Sequence, residues 1–64
     1  MSKLIDQLVD HHGHLIEFIH PCQDGQTLVR WFTDETTLKT QQLLPKKSAD
    51  WVKQGLLRDG YHQI

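Results

Sequence analysis

Cys22 has no second cysteine to pair with in a chain of 64 residues. An internal disulfide is therefore excluded, and a free thiol fits a reducing, cytoplasmic compartment. Long apolar runs are missing too. The opening stretch MSKLIDQLVDHH is interrupted by Asp6, Gln7 and Asp10, so it has neither the apolar centre of a signal peptide nor the length of a membrane span. Neither sign of charge dominates: the net charge is −1, far from the strongly basic balance that alone would argue for nucleic acid. Repeats, linkers and low-complexity segments are absent. One small domain, residues 1–64, remains. A domain of this size buries only about 60% of the surface that its unfolded chain exposes.

The small net charge hides an uneven distribution. Residues 1–25 set Lys3 against Asp6, Asp10, Glu17 and Asp24, for a net −3. Residues 26–64 set Arg30, Lys39, Lys46, Lys47, Lys53 and Arg58 against Asp34, Glu35, Asp50 and Asp59, for a net +2. Such a bipolar molecule can orient a partner.

Along the chain, Leu4, Ile5, Leu8 and Val9 recur at the spacing of one helical face. Ser2 as cap and Gly13 as the positive-φ residue after the last turn complete a predicted first helix. HLIEFIHP reads as a strand closed by Pro21, and Asp24-Gly25 as a hairpin turn with positive φ at both central residues. TLVRWFTD is a second strand, TDET a second turn, and TLKTQQLL a third strand. A last helix starts between 45 and 49, with Ala49, Val52 and Leu56 as its stripe, Trp51 widening it, Gly55 inside or at its end and Gly60 as the stop. The terminal YHQI reads as a loose tail. The expected fold is α+β in the order α-β-β-β-α, a three-stranded antiparallel sheet flanked by two helices. A small SH3-like β-barrel with terminal helices is the alternative architecture.

Neither central strand alternates cleanly. Leu28, Arg30 and Phe32 point one way and Val29 and Trp31 the other, while Ile16 and Phe18 oppose Leu15 and Ile19. Both sheet faces are therefore half apolar or more, and each needs a cover: a helix, barrel closure or a partner.

Chemistry concentrates in DHHGHLIEFIHPC, which holds four of the five histidines and the cysteine. His11 with His14, and His20 with Cys22, supply the ligand types zinc takes, but no closely spaced anchor pair is present. The competing reading puts His11 and His12 at a helix C-terminus, where they suit the dipole, and leaves His14 and His20 as strand residues. Cys22 with His20 lacks an orienting third group for nucleophilic catalysis. No metal, cofactor or enzymatic activity is expected. Arg30, Trp31, Lys39, Lys46, Lys47 and Lys53 are the binding candidates, because Trp and Arg dominate binding hot spots. Core filling competes for Trp31 and Trp51, and a solvated helix start for Lys46 and Lys47. The expected function is a non-enzymatic binding module for another protein or a second copy of itself. Nucleic-acid binding by the basic half is the alternative, and zinc binding through the His/Cys cluster the third.

Overall fold

A computed structural model of the chain describes residues 3–34 and 36–64. Four strands follow one another as a meander: β1 (Leu4–Val9), β2 (Leu15–His20), β3 (Thr27–Phe32) and β4 (Leu38–Leu44). Helix α1 (Lys46–Arg58) then crosses the sheet, and β5 (His62–Gln63) pairs with β1 at the far edge. The result is a five-stranded antiparallel sheet in the order β4-β3-β2-β1-β5, with one helix. This corrects the expected three-stranded sheet flanked by two helices. The alternative with two terminal helices fails on the same ground.

The first segment is a strand because LIDQLV satisfies two periods at once. Its apolar pairs Leu4-Ile5 and Leu8-Val9 fit one helical face, but they also place an apolar residue at both ends of each strand face, with Asp6 or Gln7 between. An isolated helix of this length is marginal in water, whereas the strand gains a full ladder with β2, from Leu4 opposite His20 to Val9 opposite Leu15. Gly13 does adopt positive φ, 84°, but in a hairpin. Its N–H donates to the Asp10 carbonyl (3.3 Å), and the Asp10 N–H donates to the His14 carbonyl (3.2 Å). Asp10-His11-His12-Gly13 is thus a four-residue turn, with Asp at the first position and Gly at the last. The second turn matches its signature: Asp24 (φ 55°) and Gly25 (φ 72°) both lie in the left-handed region, and the Gln26 N–H closes on the Gln23 carbonyl at 3.0 Å. At the third turn Asp34 accepts hydrogen bonds from the backbone N–H groups of Thr36 (2.8 Å) and Thr37 (2.9 Å).

Pro45 stands immediately before α1, and the Ala49 N–H donates to its carbonyl. Gly55 lies inside the helix. At the other end Gly60 takes φ 106°, and the Tyr61 N–H reaches back to the Leu56 carbonyl at 3.1 Å. That bond spans six residues, the pattern of a glycine-terminated helix. It aims the chain back at the sheet, so the terminal segment is a docked strand rather than a loose tail.

The core lies between α1 and one sheet face, where Leu8, Ile16, Phe18, Val29 and Ala49 are buried together. Leu57 joins Val52 and Leu56 against it, while Trp51 points to solvent, 77% exposed. Asp6 ties the crossing together: its carboxylate accepts from Lys53 Nζ of α1 (2.8 Å) and from Gln63 Nε2 of β5 (2.9 Å).

The opposite face has a layered pattern. Ile5, Ile19, Leu28 and Leu43 stand in register as one apolar row across four strands. Gln7, Glu17, Arg30 and Gln41 form a polar row beside it. Val9, Leu15, Phe32 and Leu38 form a second apolar row. None of the described residues forms a layer over this face.

Replacing Asp6 by Ala removes both links at once. We expect a loss of about 0.5–1 kcal/mol in urea denaturation, with the amides of β5 exchanging faster than those of β2. Equal protection of the two strands in the variant would show that the Asp6 links do not hold β5.

Candidate functional site

The histidine-rich stretch divides into two ends. At one end His11 and His12 occupy the β1–β2 turn with ring centroids 3.9 Å apart, and His14 Nδ1 lies 3.0 Å from Asp10 Oδ2. At the other, His20 Nδ1 and the Thr27 hydroxyl share a hydrogen bond of 2.9 Å, and Cys22 sits in the next turn as a free thiol. The whole of β2 separates His14 from His20, about 20 Å at the rise of a strand. His11 and His14 therefore do not meet His20 and Cys22. Among the described residues no three His, Cys, Asp or Glu side chains gather closely enough to hold a metal ion. His11 and His12 terminate no helix, since the segment before them is a strand.

Asp10 organises its turn. It receives the backbone N–H groups of His12 (3.0 Å) and His14 (2.9 Å) as well as the His14 ring. Partial desolvation pushes its carboxyl up, but the hydrogen bonds from His14 and His12 outweigh that and hold it at about 2, below the ordinary 3.8. Tyr61 is displaced upward, first by burial and then by the Asp10 charge.

The six binding candidates separate into three groups. Lys53 is part of the fold, bonded to Asp6. Lys46 pairs with Asp50 at 2.8 Å along the exposed side of α1. Arg30 lies on the open sheet face, 3.6 Å from Glu17 Oε1, with its Nε buried and without a hydrogen-bond partner. Adjacent residues of a strand point to opposite faces, so Trp31 is on the other side, packed at the margin of the core.

Trp31, Lys39 and Lys47 are the three that share a region. A single helix about 10 Å across cannot cover a sheet of five strands spaced ~4.8 Å. The uncovered strip lies along β4, whose residues Leu38–Gln42 are all exposed. There a groove of about 430 Å³ runs between β4 and α1, lined by Trp31, Gln42, Leu44, Lys47, Ser48, Trp51 and Val52. Trp31 and Leu44 lie on its sheet side and Trp51 on its helix side. A smaller hollow, about 170 Å³, continues past Trp31 to His14, Thr33, Lys39 and Tyr61. Lys39 enters this hollow at the point where the β3–β4 register shifts: Trp31 pairs with Thr40 and Phe32 with Leu38, leaving Lys39 between them as a bulge residue. No carboxylate lines either hollow. Trp51 also borders a further hollow of about 380 Å³ toward Leu56, Arg58 and Asp59, where base and acid are both present.

Trp51 is the residue that sequence reasoning placed on the wrong side. Its position between Asp50 and Val52 suggested a wider apolar stripe. The signal pointing the other way is its spacing of four from Lys47, which puts the two on one helical face.

Since the Asp10 carboxyl is lowered in the folded state, its contribution to stability is complete above the unfolded value near 3.8 and vanishes as pH falls through about 2. Asp10→Asn should flatten the fall of the urea midpoint across that interval. A variant that follows the parent curve would show that Asp10 does not generate it. Comparison with protein-family models, with curated proteins and with solved structures found no match to this chain.

Proposed function

We propose that the protein is a non-enzymatic binding module that captures an extended, acidic segment of another protein in the groove between α1 and β4. The observation that carries this reading is the groove itself: two tryptophans, one of them 77% exposed, in a hollow with a lysine and no carboxylate. Exposed tryptophan is unusual on a soluble surface, and rigid aromatic anchors of this kind dominate binding energy at interfaces.

The adjoining strand favours an extended ligand. β4 lies at the sheet edge, and its outer N–H and C=O groups face away from β3. A peptide added there would continue the ladder, with alternate side chains entering the groove. The sign of charge follows from Lys47 and Lys39, which stand at the two hollows and have no carboxylate within 4 Å among the described residues. The nucleic-acid alternative has less support, because Lys46 and Lys53 are each occupied by an aspartate, and phosphate binding rests on free cations.

A short peptide alternating glutamate with leucine serves as the probe, read by tryptophan emission. Trp51→Ala should weaken its binding about tenfold or more, with little change in melting temperature, and Lys47→Glu should weaken it about fivefold. Replacing the peptide's glutamates by lysine should abolish binding. Tighter binding of single-stranded oligonucleotide than of the peptide, or a peptide affinity unaffected by Trp51→Ala, would overturn the reading.

A further inference from the structure

The groove occupies one side of the sheet; the other side carries two apolar rows over which no helix among the described residues lies, with Ile5 and Leu38 exposed and Leu15 buried among its neighbours. We infer that this open face is an isologous interface with a second copy of the chain, formed by packing two sheets face to face.

The strongest ground is the symmetry of the polar row. Reading across the strands it runs Gln7, Glu17, Arg30, Gln41. A two-fold axis lying in the interface along the strand direction, midway between β2 and β3, exchanges β2 with β3 and β1 with β4. It sets Glu17 of one copy opposite Arg30 of the other, and Gln7 opposite Gln41. The same operation lays each apolar row on its own image, so Ile19 faces Leu28 and Leu15 faces Phe32. Apolar meets apolar and charge meets opposite charge at every level. The two-fold running across the strands would set Glu17 against Glu17, so the charges select the first arrangement. Sheets of a sandwich pack with their strands nearly aligned and about 10 Å apart, which this operation provides.

A second observation concerns Arg30. Within one copy its guanidinium lies over the Phe32 ring, 5.3 Å from the centroid, and makes one long ionic contact to Glu17, 3.6 Å, while its Nε has no acceptor. Arginine forms its strong contacts as a fork gripping two carboxylate oxygens. The Arg30 side chain is about one-third exposed, and a second Glu17 arriving from the opposing face adds a carboxylate to the accessible side of its fork.

The extent of the face sets the strength of the dimer. Four strands about 4.8 Å apart and six residues at ~3.3 Å give a footprint of roughly 400 Å² per copy, about 800 Å² in all, below the roughly 1,200 Å² of a stable specific interface, so the association is a weak one. Association should therefore depend on concentration. The inference does not rest on the peptide-binding reading. The α1–β4 groove lies on the opposite side of each sheet and stays open in the dimer.

Sedimentation equilibrium of the full chain tests it. The unaltered protein should shift from monomer to dimer mass as concentration rises. Glu17→Arg makes the central charges of a face both positive, and Arg30→Glu makes them both negative, so each variant alone should remain monomeric. Mixed in equal amounts, the two should form a one-to-one dimer, because a positive face then meets a negative one. If either charge variant fails to melt cooperatively, Ile19→Lys replaces it. Its ammonium reaches water in the monomer but has no exit between two sheets, so the protein should stay folded and monomeric. An unaltered chain that is monomeric at every concentration, a charge-variant mixture that remains monomeric, or an Ile19→Lys protein that still dimerises would each overturn the inference.

Discussion

One helix has to serve a sheet of five strands. About twice as many residues lie in strands as in the helix, and the thirteen residues of helix decide where the interior is. Burial of Leu8, Ile16, Phe18 and Val29 beneath Ala49 uses one face and the middle of the sheet. The apolar surface left outside this arrangement lies mainly in two places, the strip along β4 and the reverse face, with Leu4 and Ile64 exposed beyond them. Both places carry side chains that a self-sufficient monomer would have reason to make polar. Their persistence, in a chain with so little core, is the physical basis for reading the protein as one that works by contact.

The two surfaces differ in character. The reverse face is layered and nearly neutral, with acid and base in equal number on its polar row. Such a surface complements itself. The groove is concave, lined by aromatics and basic, and complements something unlike itself. A free strand edge beside it invites pairing in general, and proteins commonly guard such edges with lysine and with bulges. Lys39 combines the two devices at one position of β4, so the edge accepts an added strand best beyond the bulge, next to Leu44 and Trp31.

The expected fold was wrong at both ends of the chain, but the three middle strands and the helix were legible because turn chemistry is local. Asp24-Gly25, the acidic turn at Asp34, Pro45 and Gly60 each force a backbone conformation, and each ends or begins an element where expected. The first element was not legible, because LIDQLV fits both periods and Gly13 at positive φ serves a helix end and a hairpin equally. What separates the two readings is the ladder with β2, a tertiary fact. Misplacing β1 also concealed β5, whose partner it is. For the sites, residue type singled out Trp31, Lys39 and Lys47, which the fold brings to adjoining hollows. It also gathered Arg30, Lys46 and Lys53, which the fold places on another face, in a helix-surface pair and in an internal bond. The histidine count was the least informative feature, since a single extended strand holds its two ends apart.

The crossing from β4 to β5 has a consequence for how the chain closes. The four-stranded meander needs only hairpin contacts between neighbours in sequence, and such contacts form with little loss of chain entropy. Pairing His62 with Val9 instead joins residues more than fifty positions apart. It requires the helix to be laid over a sheet that already exists. The first and last strands are therefore the least independent parts of the molecule: one is an edge until the other arrives, and Asp6, reaching to both Lys53 and Gln63, is where their arrival is registered.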